Sequence, residues 1–375
     1  MTNKNFDNLN INDDLLKGIY LYGFKEPSDI QRKGIESINT GKDCILQSQS
    51  GTGKTATYLL GILNSIVPNK NIQGIVILPT RELAKQVFEV SKNLTKYTKI
   101  IVCKCIGGEE FSNLRGELVI GTVGRINHMI KLRKINLKTI KKLIIDEADN
   151  FIVNEIVDKE LLNILDRLND EIQIILISAT VSKYLFNLSN KYLFDPIKIL
   201  VKKENVPVDL IKQFYIDVEN ESNKYDVLID LYNGFDTNQA IIFCNTIRKV
   251  NHLHTQLSEQ NFSITSIHGQ MTQEERNTAV NDFRNSKTRI LLTTDLLARG
   301  IDIPHVNLVI NYDITSDKDT YIHRIGRCGR FGKKGLSITF VKTEEPADVK
   351  VFNRLINFYS LSIKELPDSI DNLLK

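Results

Sequence analysis

The chain has 375 residues, of which 42% are hydrophobic and 25% charged, and its formal net charge is +4. These values exclude disordered and collagen-like proteins, and the length suits two domains better than one. The sequence contains neither a run of about eighteen apolar residues nor a secretory signal at its start. We therefore expect an intracellular protein, cytoplasmic or nuclear, that is not secreted and has no membrane contact.

Short apolar, β-rich runs alternate with helical stretches from residue 43 onward. The first series reads DCILQS, GIVILP, KIIVCKC, ELVIG, KKLIID and QIILIS. A polar stretch without strand signal, VKKENVPVD at 201–209, follows, and a second series then reads QAIIFC, FSITSIHG, TRILLTT, VNLVINY and GLSITFV. This alternation predicts α/β domains with parallel sheets covered by helices, at 1–203 and 210–375, joined by a short linker.

Charge and cysteine usage constrain the partners. Residues 1–203 carry 29 Lys and Arg against 22 Asp and Glu, whereas residues 204–375 carry 20 against 23. The basic first half suits a phosphate-backbone partner, although such a charge is also common on solvated surfaces. The single C-x-C and H-x-H pairs lack a second ligand pair, which favours reduced, packed cysteines over a metal site.

A phosphate-binding loop is predicted after the first strand. The segment SQSGTGKT, residues 48–55, lies between the strand DCILQ and the apolar helix ATYLLGIL. Its glycines let backbone N–H groups surround phosphate oxygens, Lys54 reaches the outer phosphates, and the Thr55 hydroxyl ligates Mg²⁺. Ser48 stands where a strict P-loop has Gly, so the strand-to-helix context carries the prediction. The expected nucleotide-binding residues are Ser50, Gly51, Thr52, Gly53, Lys54 and Thr55.

Acidic residues follow the strand KKLII directly. This position delivers Asp146 and Glu147 to the carboxyl end of the strand, where ligands bind in such sheets. Asp146 is expected to hold Mg²⁺ through water, and Glu147 to orient and deprotonate the attacking water. Acidic residues after a strand are by themselves more often a turn or a helix start. Their pairing with Lys54 and Thr55 favours the catalytic interpretation.

The letters D-E-A-D at 146–149 resemble the motif that names the DEAD-box RNA helicases. GFKEPSDIQ, at 23–31, is similar to the adenine-reading segment of that family, in which Phe24 and Gln31 would bind the base. QSGTGKTAT and IIFCNTIRKV are most similar to its initiation factor four-A branch, including the exon-junction relative. The resemblance covers nearly the whole chain. It implies two RecA-like domains of helicase superfamily two, with ATP and Mg²⁺ as cofactors.

The same resemblance assigns RNA-binding, coupling and catalytic residues. Hydroxyls, amides and arginines at strand ends bind phosphate and sugar without reading bases. The stretch SAT resembles the segment that couples hydrolysis to unwinding, and HRIGRCGR resembles the segment with the arginine fingers. The implied RNA-binding residues are Pro79, Thr80, Arg81, Gly108, Thr122, Arg125, Asn245 and Thr294; the coupling residues are Ser178 and Thr180; Asp302 binds the ribose; and Arg327 and Arg330 join Lys54, Asp146 and Glu147 in catalysis.

Three departures from the family pattern bear on activity. Val123 stands where Pro is usual, Asn150 replaces an acidic residue, and the segment between Gly108 and Thr122 is short. Without proline the loop loses a fixed φ angle. We expect these changes to affect RNA affinity or partner contacts more than ATP hydrolysis.

The expected function is an RNA-stimulated ATPase that unwinds short RNA duplexes by ATP-driven domain closure. The family branch implies a monomer that joins a translation-initiation or exon-junction-like assembly, in translation initiation or mRNA processing. Two alternatives use the same kind of site: an ATP-dependent RNA clamp with little turnover, and a DNA helicase or translocase. Gln31 and the complete motif series disfavour the second alternative. A catalytically inactive relative is disfavoured because the residues needed for hydrolysis are present.

Overall fold

The computed structural model describes residues 5–48, 52–108, 114–153, 155–180, 182–200, 211–234, 239–295, 305–329, 335–359 and 361–367. The chain forms two compact units, Met1–Val201 and Lys202–Lys375. The predicted linker lies outside the described residues, and the domain bounds 1–203 and 210–375 stay predictions. In the part of the chain that the structure describes, no helix is long and apolar enough to cross a membrane.

The first unit is built around a sheet of parallel strands in the order β3-β4-β2-β5-β6-β1-β7. Its strands are β1 (Cys44–Gln47), β2 (Gly74–Leu78), β3 (Val102–Cys105), β4 (Leu118–Thr122), β5 (Lys142–Ile145), β6 (Gln173–Ser178) and β7 (Ile197–Ile199). Its α-helices are α1 (Asp13–Leu21), α2 (Asp29–Asn39), α3 (Lys54–Leu63), α4 (Arg81–Leu94), α5 (Val123–Lys131), α6 (Glu155–Leu165) and α7 (Lys183–Tyr192).

Both faces of this sheet are covered, which explains why its central strands have apolar residues at successive positions. Along β2, Val76 packs into one core cluster, whereas Ile75 and Ile77 pack into the other. Along β5, Ile144 belongs to the first cluster and Leu143 to the second. Parallel strands between two helical layers require this two-sided burial.

The second unit repeats the architecture with a parallel sheet in the order β10-β11-β9-β12-β13-β8-β14. Its strands are β8 (Ile211–Asp217), β9 (Gln239–Phe243), β10 (Ile264–Ile267), β11 (Ile290–Thr293), β12 (Val306–Asn311), β13 (Gly335–Val341) and β14 (Lys364–Glu365). Its α-helices are α8 (Lys224–Gly234), α9 (Ile247–Glu259), α10 (Gln273–Arg284), α11 (Lys318–Ile325) and α12 (Pro346–Tyr359).

The fold class predicted from the sequence is confirmed: each unit is a parallel α/β domain of the RecA-like kind. The core of the second unit again has two faces, with Ile242 and Leu292 on one side of the sheet and Ile241 and Phe243 on the other. The five cysteines are buried and free, in agreement with the expectation of packed thiols.

Candidate functional site

The carboxyl edge of the first sheet gathers the residues predicted to act on nucleotide and RNA. The strand register aligns Gln47, before the phosphate-binding loop, with Ser178, and it aligns Leu78 with Thr122. Asp146 follows β5 and donates its backbone N–H to Ile77 at 3.0 Å. Segments that lie far apart in sequence therefore reach one edge because all their strands run parallel.

The described part of the phosphate-binding loop leads directly into α3. Gly53 has φ +96°, a left-handed conformation that suits glycine, and the helix begins at Lys54. The Lys54 ammonium donates to the Ser48 carbonyl, and the hydroxyls of Ser48 and Thr52 lie 2.7 Å apart. These contacts join Ser48, at the start of the loop, to the residues at the start of α3, where a helix N-terminus favours an anion. The predicted residues Ser50 and Gly51 lie outside the described residues.

Asp146 is buried and is held by a tyrosine that the sequence analysis did not select. The Tyr58 hydroxyl, on α3, donates to Asp146 Oδ2 at 2.8 Å, and the Glu147 backbone N–H donates to Oδ1 at 2.8 Å. Burial, with the neighbouring charge of Glu147 acting in the same direction, raises the pKa of Asp146 to about 6, although the hydrogen bond from Tyr58 and the charge of Lys54 oppose the shift. A carboxylate in this environment gains stability when a cation joins it.

Glu147 stands at a turn of unusual backbone conformation. Its φ is +48°, in the left-handed region. Asn150 closes the turn, since its backbone N–H donates to the Glu147 carbonyl at 2.8 Å and its side-chain amide donates to Glu147 Oε2 at 2.5 Å. The departure at position 150 thus places a hydrogen-bond donor on the predicted catalytic base, where an acidic side chain could not donate when ionised.

The predicted coupling residues contact the acidic motif. The Thr180 hydroxyl donates to Asp149 Oδ2 at 2.8 Å, and the Ser178 hydroxyl donates to the Thr180 carbonyl at 2.6 Å. Ser178, Thr180 and Asp149 are all buried. The end of β6 is therefore tied to the acidic turn after β5 by short, shielded hydrogen bonds.

The structure places the predicted adenine-reading segment against the phosphate-binding loop. Ser28 caps α2, and the Gln31 side chain completes a capping box by accepting from the Ser28 N–H at 2.8 Å. The Ser28 hydroxyl donates to the Thr52 carbonyl at 2.9 Å. A Cβ added at Gly53 would lie 2.5 Å from Gln31 Nε2, so glycine permits this close approach. Phe24 is half-buried, with its ring centre 6.3 Å from that of Phe6.

We expect Gln31→Glu to raise the KM for ATP about tenfold, the loss of one or two hydrogen bonds. Glutamate keeps the acceptor that caps α2, but it lacks the amide donor that pairs with an adenine acceptor. The KM for 7-deaza-ATP should change much less, because that analogue lacks the N7 acceptor with which the amide donor would pair. Steady-state hydrolysis assays with ATP and with 7-deaza-ATP measure both values, with the exposed Gln260→Glu as control. Equal changes with the two nucleotides would show that Gln31 does not read the base.

The residues predicted to bind RNA in the first unit lie at the ends of β2, β3 and β4. The Arg81 guanidinium packs against Gly107 and Gly108. A Cβ added at Gly107 or Gly108 would lie 3.3 or 3.1 Å from a terminal nitrogen of Arg81, so the two glycines permit this close approach. Gly108 also has φ +83°. The Thr80 hydroxyl accepts from the Leu83 N–H at 3.2 Å as the cap of α4, which leaves its proton for another acceptor.

At the end of β4, helix α5 begins at Val123, the residue that departs from the family pattern. Val123 is the first residue of α5, and its side chain is buried in the core. The preceding residue, Thr122, makes no side-chain capping bond and is half-buried, as is Arg125. Helix packing therefore supports the loop at the position where proline would fix φ. The predicted contacts of Pro79, Thr122 and Arg125 with RNA remain predictions.

In the second unit, the predicted residues lie at the ends of β9 and β11 and just beyond α11. Asn245 is exposed, but its side chain is already engaged: its amide donates to the Ile314 carbonyl at 2.9 Å and its Oδ1 accepts from Arg324 at 2.8 Å. Thr294 follows β11 and is half-buried. Arg327 is buried and donates through Nε to the His323 carbonyl at 3.0 Å. Asp302 and Arg330 lie outside the described residues.

The oxygen donors in the first unit fit a magnesium ion bound together with a nucleotide. The Thr55 hydroxyl and the Asp146 carboxylate are hard ligands, and Mg²⁺ is usually held by one or two carboxylates plus substrate phosphates. Within the described residues, no group of three or more His, Cys, Asp or Glu could hold a metal by itself. A metal at this edge would therefore depend on phosphate oxygens for the rest of its coordination.

A phosphate-binding loop, an acidic pair and a second RecA-like domain define a P-loop nucleoside triphosphatase. Residues 28–188 match the model of the DEAD/DEAH box helicases, and residues 223–332 match that of the helicase conserved C-terminal domain. The chain belongs to the DEAD/DEAH box helicase family, which confirms the family predicted from its motifs.

The relatives span almost the whole chain. It is 44% identical to the ATP-dependent RNA helicase FAL1 of Kluyveromyces lactis, over 98% of this chain and 94% of that protein. It is 41% identical to the eukaryotic initiation factor 4A of Caenorhabditis elegans, over 99% and 93%. Among solved structures, S. cerevisiae Dbp5 bound to RNA and ADP BeF3 matches with a TM-score of 0.92, 33% identity, and coverage of 97% of this chain and 96% of that one.

Proposed function

We propose that this protein is an ATP-dependent RNA helicase whose ATPase is stimulated by RNA. The observation that carries the proposal is the shared carboxyl edge of the first sheet, where the neighbouring strands β2, β5, β6 and β1 lead in that order to Arg81, Asp146, Thr180 and Lys54. Nucleotide and RNA bound there would be neighbours. The names of the relatives, RNA helicase and initiation factor 4A, support the same function.

In the proposed mechanism, Lys54 and the helix N-terminus at Gly53 bind the phosphates, and Gln31 reads the adenine. Magnesium held through Thr55 and Asp146 would neutralise charge on the phosphates. Glu147 orients the attacking water and accepts its proton. Arg327 and Arg330 of the second domain stabilise the transferring phosphoryl group, as arginine fingers do. Asp302 binds the ribose.

RNA and ATP are proposed to promote closure of the two domains. Each ligand would contact both domains, Thr122 and Arg125 on one side and Asn245 and Thr294 on the other, and each would thus bind the closed state better. A backbone path suited to a bent single strand would open short duplexes locally. The hydrogen bond from Thr180 to Asp149 would couple ATP hydrolysis to duplex opening, because it joins the predicted coupling segment to the turn that carries Glu147.

The rate of ATP hydrolysis with and without RNA tests the proposal. We expect weak hydrolysis by the full chain alone and a rise of about tenfold or more with single-stranded RNA, since differential binding of the closed state by a few kcal/mol has this effect. A DNA of the same sequence should stimulate less, because it lacks the 2′-hydroxyl groups. Equal rates in all three conditions would contradict RNA coupling.

An RNA clamp with little turnover is the second candidate. The hydrogen bond from the Asn150 amide to Glu147 favours it, because a donor on the carboxylate makes the predicted base less basic and would slow hydrolysis. Unwinding of a short duplex distinguishes the two functions: a helicase releases strands over many ATP turnovers, whereas a clamp stays bound.

Protein partners in a translation-initiation or exon-junction-like assembly are proposed from the branch of the family, and affinity purification of the tagged chain tests them.

A further inference from the structure

A lysine that lies outside the predicted motifs is fully buried in the second domain. Lys224, the first residue of α8, is 1% exposed, and its ammonium lies 2.6 Å from Asp313 Oδ1 and 3.0 Å from Glu221 Oε2. The ring of Tyr312 lies 5.2 Å from the same nitrogen. Burying a charge is costly unless it is paired and hydrogen-bonded. Lys224 meets that condition, because it forms a buried ionic cluster with Asp313 and Glu221.

Asp313, which follows β12, connects this cluster to the loop after β9. Its Oδ1 accepts from Lys224 and, at 2.7 Å, from Lys249, while its Oδ2 accepts from the Asn245 backbone N–H at 3.0 Å. Burial acts to raise the pKa of Asp313, but attraction to Lys224 and the hydrogen bonds outweigh it and hold the pKa below its usual range. The carboxylate is therefore ionised and binds a backbone that is predicted to face RNA.

Arg324 holds the side chain of Asn245, in the loop after β9. It is fully buried, and it donates to the Asp313 carbonyl at 2.7 Å, to Asn245 Oδ1 at 2.8 Å and to Asp295 Oδ1 at 2.5 Å. Asp295 directly follows Thr294, the other residue predicted to touch RNA in this domain. The two loops are thus held by one network, which Lys224 joins through the Asp313 carboxylate.

We propose that Lys224 is a positioning residue for RNA binding: acting through Asp313, it fixes the loop Asn245–Thr246 in the conformation that contacts the RNA backbone. This inference rests on the proposed function and extends it to a residue that does not touch RNA. Stability alone is a weak reason for such a cluster, because replacing a buried ion pair by apolar side chains often costs nothing. A functional site, in contrast, needs side chains fixed by supporting contacts.

The test is RNA-stimulated ATPase of the full chain as a function of RNA concentration. Lys224→Met removes the charge at similar length, and we expect the KM for RNA to rise about tenfold, corresponding to one hydrogen bond with a charged group, with kcat at saturating RNA within about twofold. Lys224→Arg should recover most of the affinity. The matched control is Lys342→Met, because Lys342 lies 2.7 Å from Glu345 and 3.4 Å from Glu221 but does not share Asp313.

A double variant separates positioning from a general loss of stability. If Lys224 acts through the loop, Lys224→Met should add no further rise in KM to that of Asn245→Ala, because coupled residues are not additive. Multiplied effects, or an unchanged KM for RNA in Lys224→Met, would overturn the inference. If Lys224→Met fails to fold, Lys249→Met removes one cation from the same Asp313 carboxylate. It should raise the KM for RNA about threefold, a change in binding free energy somewhat smaller than that of one hydrogen bond. An unchanged KM for RNA in Lys249→Met would then overturn the inference. Absence of RNA stimulation in the natural chain would instead reject the proposed function.

Discussion

Replacing Glu147 with Gln is expected to lower RNA-stimulated ATP turnover by between about 10²- and 10⁴-fold, the usual contribution of a general base. The amide matches the carboxylate in size but cannot take a proton from water. Binding of ATP and RNA should persist, because Lys54, Thr55 and Asp146 are unchanged. Single-turnover hydrolysis and fluorescence binding of a labelled RNA measure the two properties, and the variant should hold both ligands together.

The exposed Glu155→Gln, which makes the same charge change at the start of α6, serves as control and should turn over normally. Unchanged turnover in Glu147→Gln would rule out Glu147 as the base. Loss of ATP binding would instead show that Glu147 maintains the shape of the site rather than acting in the chemical step. This outcome is informative because Glu147 has a left-handed backbone conformation on which the turn depends.

Replacing Arg327 with Gln should reduce the RNA-stimulated kcat by about 10³-fold or more, the range measured for arginine fingers. The guanidinium stabilises charge that develops only as the phosphoryl group transfers, so the KM for ATP should change little. Arg327→Lys keeps the charge but not the fork of donors, and it should remain strongly impaired. Steady-state ATPase at saturating RNA measures each value.

Because Arg327 is buried and bonded to the His323 carbonyl, a fold control is needed. Thermal unfolding of each variant provides it, and the exposed Arg284→Gln on α10 provides a charge-matched comparison that should keep full activity. A stable Arg327→Gln protein with normal kcat would remove Arg327 from the catalytic residues.

The placement of the candidate nucleotide-binding residues was largely predictable from sequence because each depends on local structure. Lys54 and Thr55 follow a strand and a glycine, and Asp146 follows an apolar strand, so each position is fixed by the element before it. The parallel arrangement then brings these strand ends to one edge. Hence a linear order of motifs sufficed to predict the family and the carboxyl-edge site.

The supporting contacts were missed because they join residues that are distant in sequence. Tyr58 reads as one more apolar residue of α3, and only packing shows its hydroxyl on Asp146, 88 residues away. A polar-tipped aromatic one turn after the P-loop lysine was the available signal. Lys224 and Asp313, separated by 89 residues, carried no sequence signal at all.

The sequence by itself determined the two parallel α/β domains, the P-loop, the acidic pair and the family, because periodicity and strand-end residues are local properties. The tertiary structure alone decided which side chains hold these residues: Tyr58 on Asp146, Thr180 on Asp149, and Arg324 on Asn245. Such pairs form when buried polar groups must find partners in a packed interior. That requirement depends on three-dimensional neighbours, which no local pattern encodes.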